Sequence, residues 1–180
     1  MVFGVVASLF AVMAIAIVAF TVATRRFYTL DTLALLPEET VRFDDATARW
    51  SSLPYQHAVI QGFFFQRCVA RLTDRRLVVA VPGLFQPSKK VVVAILYHSS
   101  DAIPEEGGGT DIGSGSLMRV RLDESRVETM KGERVLKLVT DENELRNSPF
   151  PPVYTLIKSA RLDDYLAALG ISPEPRPFVQ

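Results

Sequence analysis

The sequence is poor in the residues that build disulfides and metal sites. Its 180 residues include one cysteine and two histidines, so Cys68 has no partner for an internal disulfide and a zinc site with several Cys and His ligands is not expected. An excess of one charge is also missing, because 20 Lys and Arg balance 20 Asp and Glu. No global field therefore attracts nucleic acid. We expect no metal, no cofactor and no nucleic-acid partner.

Charged side chains are absent from Val2 to Thr24, and Arg25 and Arg26 follow at once. A helix of this length would measure roughly 34 Å, which is enough to cross a hydrocarbon core of about 30 Å. A cleaved signal peptide is the alternative, but its apolar core would span only about 7–15 residues. We predict a transmembrane anchor at residues 1–26. Because basic residues favour the cytoplasmic side, we expect a single-pass protein of the inner membrane with its C-terminal domain in the cytoplasm.

Three further segments follow the predicted anchor. Residues 27–36 contain Phe27, Tyr28 and a row of leucines, which predicts a juxtamembrane segment that continues the helix. Pro37 ends that helix, because the residue before a proline is disfavoured in the helical conformation. Residues 37–170 form the predicted domain. Residues 171–180 are rich in proline and are predicted to be a flexible tail that does not pack.

The residue pattern of the predicted domain is typical of a β protein with one terminal helix. Alternating or β-branched runs between Val41 and Thr140 predict six or seven antiparallel strands, and Lys131-Gly132 predicts a tight hairpin turn. A helix follows, with Ser159 as its N-cap and Gly170 as the residue that ends it. The segment just before Ser159 fits either a strand or a separate helical turn. We expect a mostly-β (α+β) fold, a small, partly open antiparallel barrel capped by a C-terminal helix.

One short motif carries a family resemblance. Leu72-Thr73-Asp74-Arg75-Arg76-Leu77 resembles the L-T-x-x-R-L hairpin of the GRAM and bacterial PH-like group of domains. The resemblance implies a PH-like barrel with a capping helix near Arg161–Leu169. It also implies a binding or membrane-associated module, and it brings no catalytic residues.

Basic residues concentrate around this motif and in the stretch that follows it. Arg75, Arg76, Lys89 and Lys90 are the candidate contacts for anionic lipid headgroups, since a domain beside a bilayer experiences a negative surface potential. The structural alternative is that these side chains are solvated or form ion pairs, and that Arg76 holds the hairpin.

Other motifs do not indicate catalysis. The glycines of Gly107–Gly115 lack the Lys-Ser/Thr of a phosphate-binding loop, so we interpret this stretch as a surface loop. His57 and His98 are separate, each near a predicted strand end, and Cys68 alternates with apolar neighbours. Nothing in their spacing indicates a nucleophile and its base.

The sequence therefore predicts a non-catalytic, membrane-anchored module that mediates protein interaction at the membrane. Recognition of anionic lipid by the same domain is the alternative, and an uncharacterised enzymatic activity is a minor alternative.

Overall fold

The structure, a computed structural model, describes residues 29–54, 65–83, 87–98, 118–145 and 152–177. Within these ranges 57% of the residues lie in strands, so the protein is mostly β. The elements are β1 Val41–Asp45, β2 Arg49–Pro54, β3 Gln66–Arg67, β4 Val69–Thr73, β5 Arg76–Pro82, β6 Lys90–Tyr97, β7 Met118–Met130, β8 Glu133–Thr140, α1 Glu142–Leu145, β9 Pro152–Lys158, α2 Leu162–Leu169 and β10 Arg176–Pro177.

The strands form one sheet that returns on itself. Its order is β1-β4-β5-β6-β7-β8-β9-β2-β3, and β10 pairs with β7 beside this path. The two ends of the path are continuous in the chain, because only a short bend separates β1 from β2 and only Cys68 separates β3 from β4. The Cys68 N–H donates to the Ala48 carbonyl at 3.0 Å, which joins the two bends. The strand order therefore returns on itself as a barrel, in which β6 and β7 pair only over Met118–Arg121 of β7.

Strand β7 turns the corner between the two halves of the barrel. Its first part, Met118–Arg121, runs parallel to β6, and the part from Leu122 onward runs antiparallel to β8. The register shifts between Leu122 and Glu124, as expected for a bulge that bends a strand. The long stretch between Tyr97 and Met118 allows the parallel pairing, because a parallel neighbour needs a crossover of about a dozen residues or more.

The barrel interior is one apolar cluster closed at one end by α2. Leu162, Tyr165 and Leu166 are the buried face of that helix. They pack on inward-facing side chains of six strands, among them Leu72, Leu77, Val79, Leu96, Leu122, Val127, Leu136, Leu138 and Ile157. Interior positions recur at every second residue, as the pleat of a strand requires. Burial of this continuous surface is the main stabilising term of the fold.

The predicted fold class is wrong. It began with a transmembrane helix, but the helices of the described ranges are four and eight residues long. None of them is long and apolar enough to cross a membrane, which takes about 20 residues. The predicted span Val2–Thr24 and the Gly107–Gly115 loop lie outside the described residues. The expected all-antiparallel pairing is also corrected, because β6 and β7 are parallel.

Several local predictions are confirmed. Lys131 and Gly132 both have positive φ, 51° and 79°, as a two-residue hairpin turn requires. Thr73 and Arg76 lie at the ends of the β4–β5 hairpin. The helix ends at Gly170, whose φ of 65° is left-handed. Its N-cap position, however, is Arg161 and not Ser159.

The predicted juxtamembrane segment packs on the barrel instead of extending as a helix. From residue 29, where the description begins, Thr29 bridges to Val91 and a turn follows. Leu30, Leu33 and Leu36 cover the outer face of β5 and β6, where they contact an apolar patch of Val78, Ala80, Val92, Ile95 and Tyr97. The leucine row is therefore explained by an apolar outer face of the sheet. Residues 27 and 28 lie outside the described part.

A buried ion pair fastens this segment to the β4–β5 hairpin. The Arg76 Nε and Nη2 atoms each donate to a different Glu39 carboxylate oxygen at 2.8 Å, and Nη2 also donates to the Ala34 carbonyl at 2.7 Å. Glu39 accepts further bonds from the Leu36 N–H and the Thr73 hydroxyl. Burial alone would raise the pKa of Glu39, but these bonds outweigh it and the pKa is lowered. The carboxylate is thus held ionised.

We expect Arg76→Ala to lower the free energy of unfolding by about 3–5 kcal/mol, because it leaves the Glu39 carboxylate buried without its partner. Arg134→Ala is the matched control, since the Arg134–Asp163 pair is exposed and is worth about 1 kcal/mol or less. Urea denaturation of the full chain measures both. Similar losses in the two variants would contradict the structural role of Arg76.

A second buried carboxylate joins the bend after β1 to the capping helix. Asp45 accepts hydrogen bonds from the Thr47 N–H at 2.8 Å and the Thr47 hydroxyl at 2.7 Å. Its other oxygen accepts from the Tyr165 hydroxyl at 3.0 Å and from the Ser159 hydroxyl. Burial would raise the pKa of Asp45, but the bonds from Ser159, Thr47 and Tyr165 outweigh it and the pKa is lowered. One ionised carboxylate therefore sets the position of α2.

The lowered pKa of Asp45 predicts acid sensitivity. Because the folded state favours the ionised form, the stabilisation is fully present above the unfolded pKa of about 4 and is lost as the pH falls through the lower folded value. Asp45→Asn should reduce stability at pH 7 by about 1–3 kcal/mol and flatten the loss of stability as the pH falls below about 5. Thermal melts across this range test it. The exposed control Asp31→Asn should follow the wild-type curve, and an unchanged acid slope in Asp45→Asn would contradict the assignment.

Candidate functional site

A cleft of about 540 Å³ opens between the bend of β7 and the C-terminal end of α2. Its near wall is Leu122–Val127 of β7, and its far wall is the chain that leaves the helix. The lining residues are Asp74, His98, Leu122, Asp123, Glu124, Ser125, Arg126, Val127, Ala168, Leu169, Gly170, Ile171, Ser172, Glu174 and Arg176. Leu122 and Val127 of β7 and Leu166 of α2 belong to the buried core, which holds the strand and the helix together at this cleft.

The far wall exists because the chain turns back sharply at Gly170. The left-handed φ of 65° at this glycine ends the helix, and the Gly170 N–H donates to the Leu166 carbonyl. The Ile171 N–H donates to the same carbonyl at 2.9 Å, the bonding expected at a glycine-terminated helix end. The following residues then run beside β7 until Arg176 and Pro177 pair with Glu128 and Thr129.

This course corrects the predicted tail. Residues 171–180 were expected to be flexible and unpacked, but β10 is a parallel neighbour of β7, and Ile171 packs against the core. A proline-rich composition usually argues against a strand. Proline is nevertheless tolerated at the edge of a sheet, which is where β10 lies. Residues 178–180 lie outside the described part.

The near wall is a backbone edge of β7 that is unpaired within the described part of the chain. On the side of β7 opposite β8, β6 pairs up to Arg121 and β10 pairs at Glu128 and Thr129. Between them, over Leu122–Val127, no strand of the described residues pairs with this edge. The gap spans about 20 Å at the usual rise per residue of an extended chain. An unpaired strand edge presents N–H and C=O groups that can pair with another chain.

The cleft carries more negative than positive charge. Four carboxylates and two guanidinium groups line it, which leaves a formal charge of −2 with His98 neutral. Glu124 pairs with Arg126 at 2.6 Å and lies 3.8 Å from Arg176. Asp123 and Glu174 form no ion pair with another described residue, and both are accessible in the cleft. The negative end of the α2 dipole adds to the same sign.

Hydrogen bonds keep two of the lining groups charged. The Thr40 N–H donates to Asp74 at 2.9 Å, and this bond is the main cause that lowers the pKa of Asp74. The carboxylate of Glu128 accepts from Arg126 Nε at 2.7 Å, and this bond is the main cause that raises the pKa of Arg126. These bonds orient the charge of Asp74, in the β4–β5 turn, and the charge of Arg126, on β7.

The four predicted lipid contacts do not form one site. Arg76 pairs with Tyr97 across β5 and β6, whereas Lys90 pairs with Pro82 at the other end of these strands, about 20 Å away. Arg75 lies in the turn beside Arg76, and Lys89 precedes Lys90. Arg76 is also only 3% exposed and bonded to Glu39, so its assignment as a headgroup contact is corrected to a structural role.

The predicted inertness of Cys68 agrees with its position. The thiol is buried inside the barrel, and burial, together with the nearby Asp45, raises its pKa to about 12. A thiol in this environment is a poor nucleophile at neutral pH. His98 lines the cleft, and His57 lies outside the described residues. Among the described residues, no group of three His, Cys, Asp or Glu side chains is arranged to hold a metal ion.

Comparison with known proteins adds no relative. No family model, curated protein or solved structure matches the chain. The resemblance to the GRAM and bacterial PH-like group therefore stays a prediction, and function has to be argued from the cleft itself.

The sequence contained one local signal of this site. The alternation of β7 breaks at Asp123-Glu124, where the structure has its register shift. A break in alternation indicates a bulge, and bulges are frequent next to functional sites. No local pattern in the sequence predicts the far wall, because its position depends on the course of the chain after Gly170.

Proposed function

We propose that this protein is a non-catalytic binding module and that the cleft between β7 and the end of α2 receives a segment of a protein partner. The observation that carries the proposal is the edge of β7 over Leu122–Val127, which lies inside the cleft and pairs with no strand of the described residues. A second chain can add a strand to such an edge.

The composition of the cleft supports a peptide segment over a small apolar ligand. Its volume of about 540 Å³ lies within the usual range for ligand sites of about 300–1,000 Å³. Small-molecule pockets are lined mainly by apolar side chains, whereas charged groups such as Asp123, Arg126 and Glu174 dominate here. Charged and polar walls are typical of the rim of a protein interface.

The chemistry of the cleft supports binding over catalysis. Asp74 is held ionised by a backbone hydrogen bond, which makes it a weak general base at neutral pH. Arg126 is held between Glu124 and Glu128. The sole thiol, Cys68, faces the core and has a raised pKa.

The lipid-binding alternative and the location beside the inner membrane stay predictions. Of the four basic candidates, Arg75, Lys89 and Lys90 are accessible, but they lie at opposite ends of β5 and β6. A single headgroup cannot bridge them. Binding to vesicles of anionic lipid tests this alternative separately.

A helix alanine offers a sharp test. Ala168 is exposed and lines the cleft, while its neighbour Ala167 is exposed but does not line it. Ala168→Trp should fill the cleft with an indole ring and weaken binding of peptides selected from a random display library on the full chain by at least tenfold. Ala167→Trp should bind these peptides as the wild type does.

Binding is measured by fluorescence anisotropy, with circular dichroism to show that both variants fold. Equal affinity of the two variants for every selected peptide would overturn the cleft as the binding site. Retention of the full chain by anionic vesicles, abolished by Lys89→Ala/Lys90→Ala and unaffected by Ala168→Trp, would support the lipid alternative instead.

A further inference from the structure

We infer that the partner segment binds as an added β-strand on the edge of β7 and carries a basic side chain. This inference rests on the proposed function and specifies the mode and chemistry of recognition at the same cleft.

The flanks of the gap support strand addition. At one end β6 pairs with β7 up to Arg121, and at the other end β10 pairs from Glu128. The same edge is therefore used by two strands of this chain, on both sides of the unpaired stretch. A strand that bound in the gap would extend the backbone hydrogen bonding that β6 and β10 already make with β7. Six residues of extended chain match the gap of about 20 Å.

β10 shows the kind of chain that this edge accepts. Arg176 is 70% exposed at its side chain, and its guanidinium lies 3.8 Å from Glu124, while its backbone pairs with Glu128. A basic residue in extended conformation is thus already placed against an acidic residue of β7. In the same way, a basic residue of the partner segment would lie against an acidic residue of β7 within the unpaired stretch.

The charge of the cleft selects a basic segment. Asp123 and Glu174 lie on the two walls, and neither is engaged in an ion pair with a described residue. A Lys or Arg side chain between them would gain attraction from both, whereas an acidic side chain would be repelled. Attraction of this kind weakens with added salt.

The test uses two amidated hexapeptides and a series derived from the first of them, each labelled with fluorescein through an N-terminal spacer. They read Thr-Val-Lys-Val-Thr-Val, Thr-Val-Glu-Val-Thr-Val, and the lysine peptide with single N-methyl groups placed on each backbone amide in turn. Anisotropy of the full chain with each peptide gives the affinity. An N-methyl group removes a backbone donor, so strand addition should show losses that alternate along the peptide.

We expect the lysine peptide to bind at least tenfold more tightly than the glutamate peptide at low salt. N-methylation should weaken binding at least tenfold at every second amide and much less at the amides between. Asp123→Asn/Glu174→Gln should remove most of the charge preference, while the alternation along the peptide remains. Ala168→Trp should abolish binding of the lysine peptide, and Ala167→Trp should not.

Three outcomes would overturn the inference. Losses that do not alternate would exclude strand addition, and a glutamate peptide that binds as well as the lysine peptide would exclude basic selection. Absence of binding by the whole series would also overturn it. In that case peptides from the display library that lose affinity in Ala168→Trp would still support the proposed function, so the two failures are distinguishable.

Discussion

The buried Asp45 carboxylate ties the bend between β1 and β2 to the helix that closes the barrel, and the position of the cleft depends on this link. Asp45 is 1% exposed and accepts bonds from three other residues, which belong to the bend, to the turn after β9 and to the capping helix. Ser159 and Tyr165 lie 114 and 120 residues from Asp45 in the sequence. The carboxylate fixes the corner where the sheet closes and, at the same point, the position of the helix. Tyr165, which donates one of the bonds, also packs edge-on against Phe43 with ring centroids 4.9 Å apart.

The candidate site follows from this arrangement. With α2 held by Tyr165, its end falls beside the bend of β7, and Gly170 turns the chain back along that strand. The chain then rejoins β7 only at Arg176, which leaves a cleft between them. The cleft therefore results from the closure of the barrel. β7 has to bend to close the barrel, and the end of α2 is held beside that bend.

The sequence predicts the local features of this fold but not the distant ones. Lys131-Gly132 and Gly170 require particular backbone conformations, so their turns could be read directly. Leu30, Leu33 and Leu36 have helical spacing, but side chains with this spacing can also cover the face of a sheet, as they do here. Nothing near Arg76 indicates that its partner is Glu39. The parallel pairing of β6 and β7 and the walls of the cleft arise from tertiary contacts that have no local pattern.

The central claim is that the edge of β7 is open between β6 and β10, and amide hydrogen exchange of the free chain tests it most directly. Successive N–H groups of a strand point to opposite edges, so those of residues 123–127 should alternate. Amides directed at β8 should exchange slowly, and those directed at the cleft should exchange at least a hundredfold faster. Amides in Met118–Arg121 and at Glu128 and Thr129 should show no such contrast. Uniformly slow exchange across residues 123–127 would contradict the account, because it would mean that this edge is already paired.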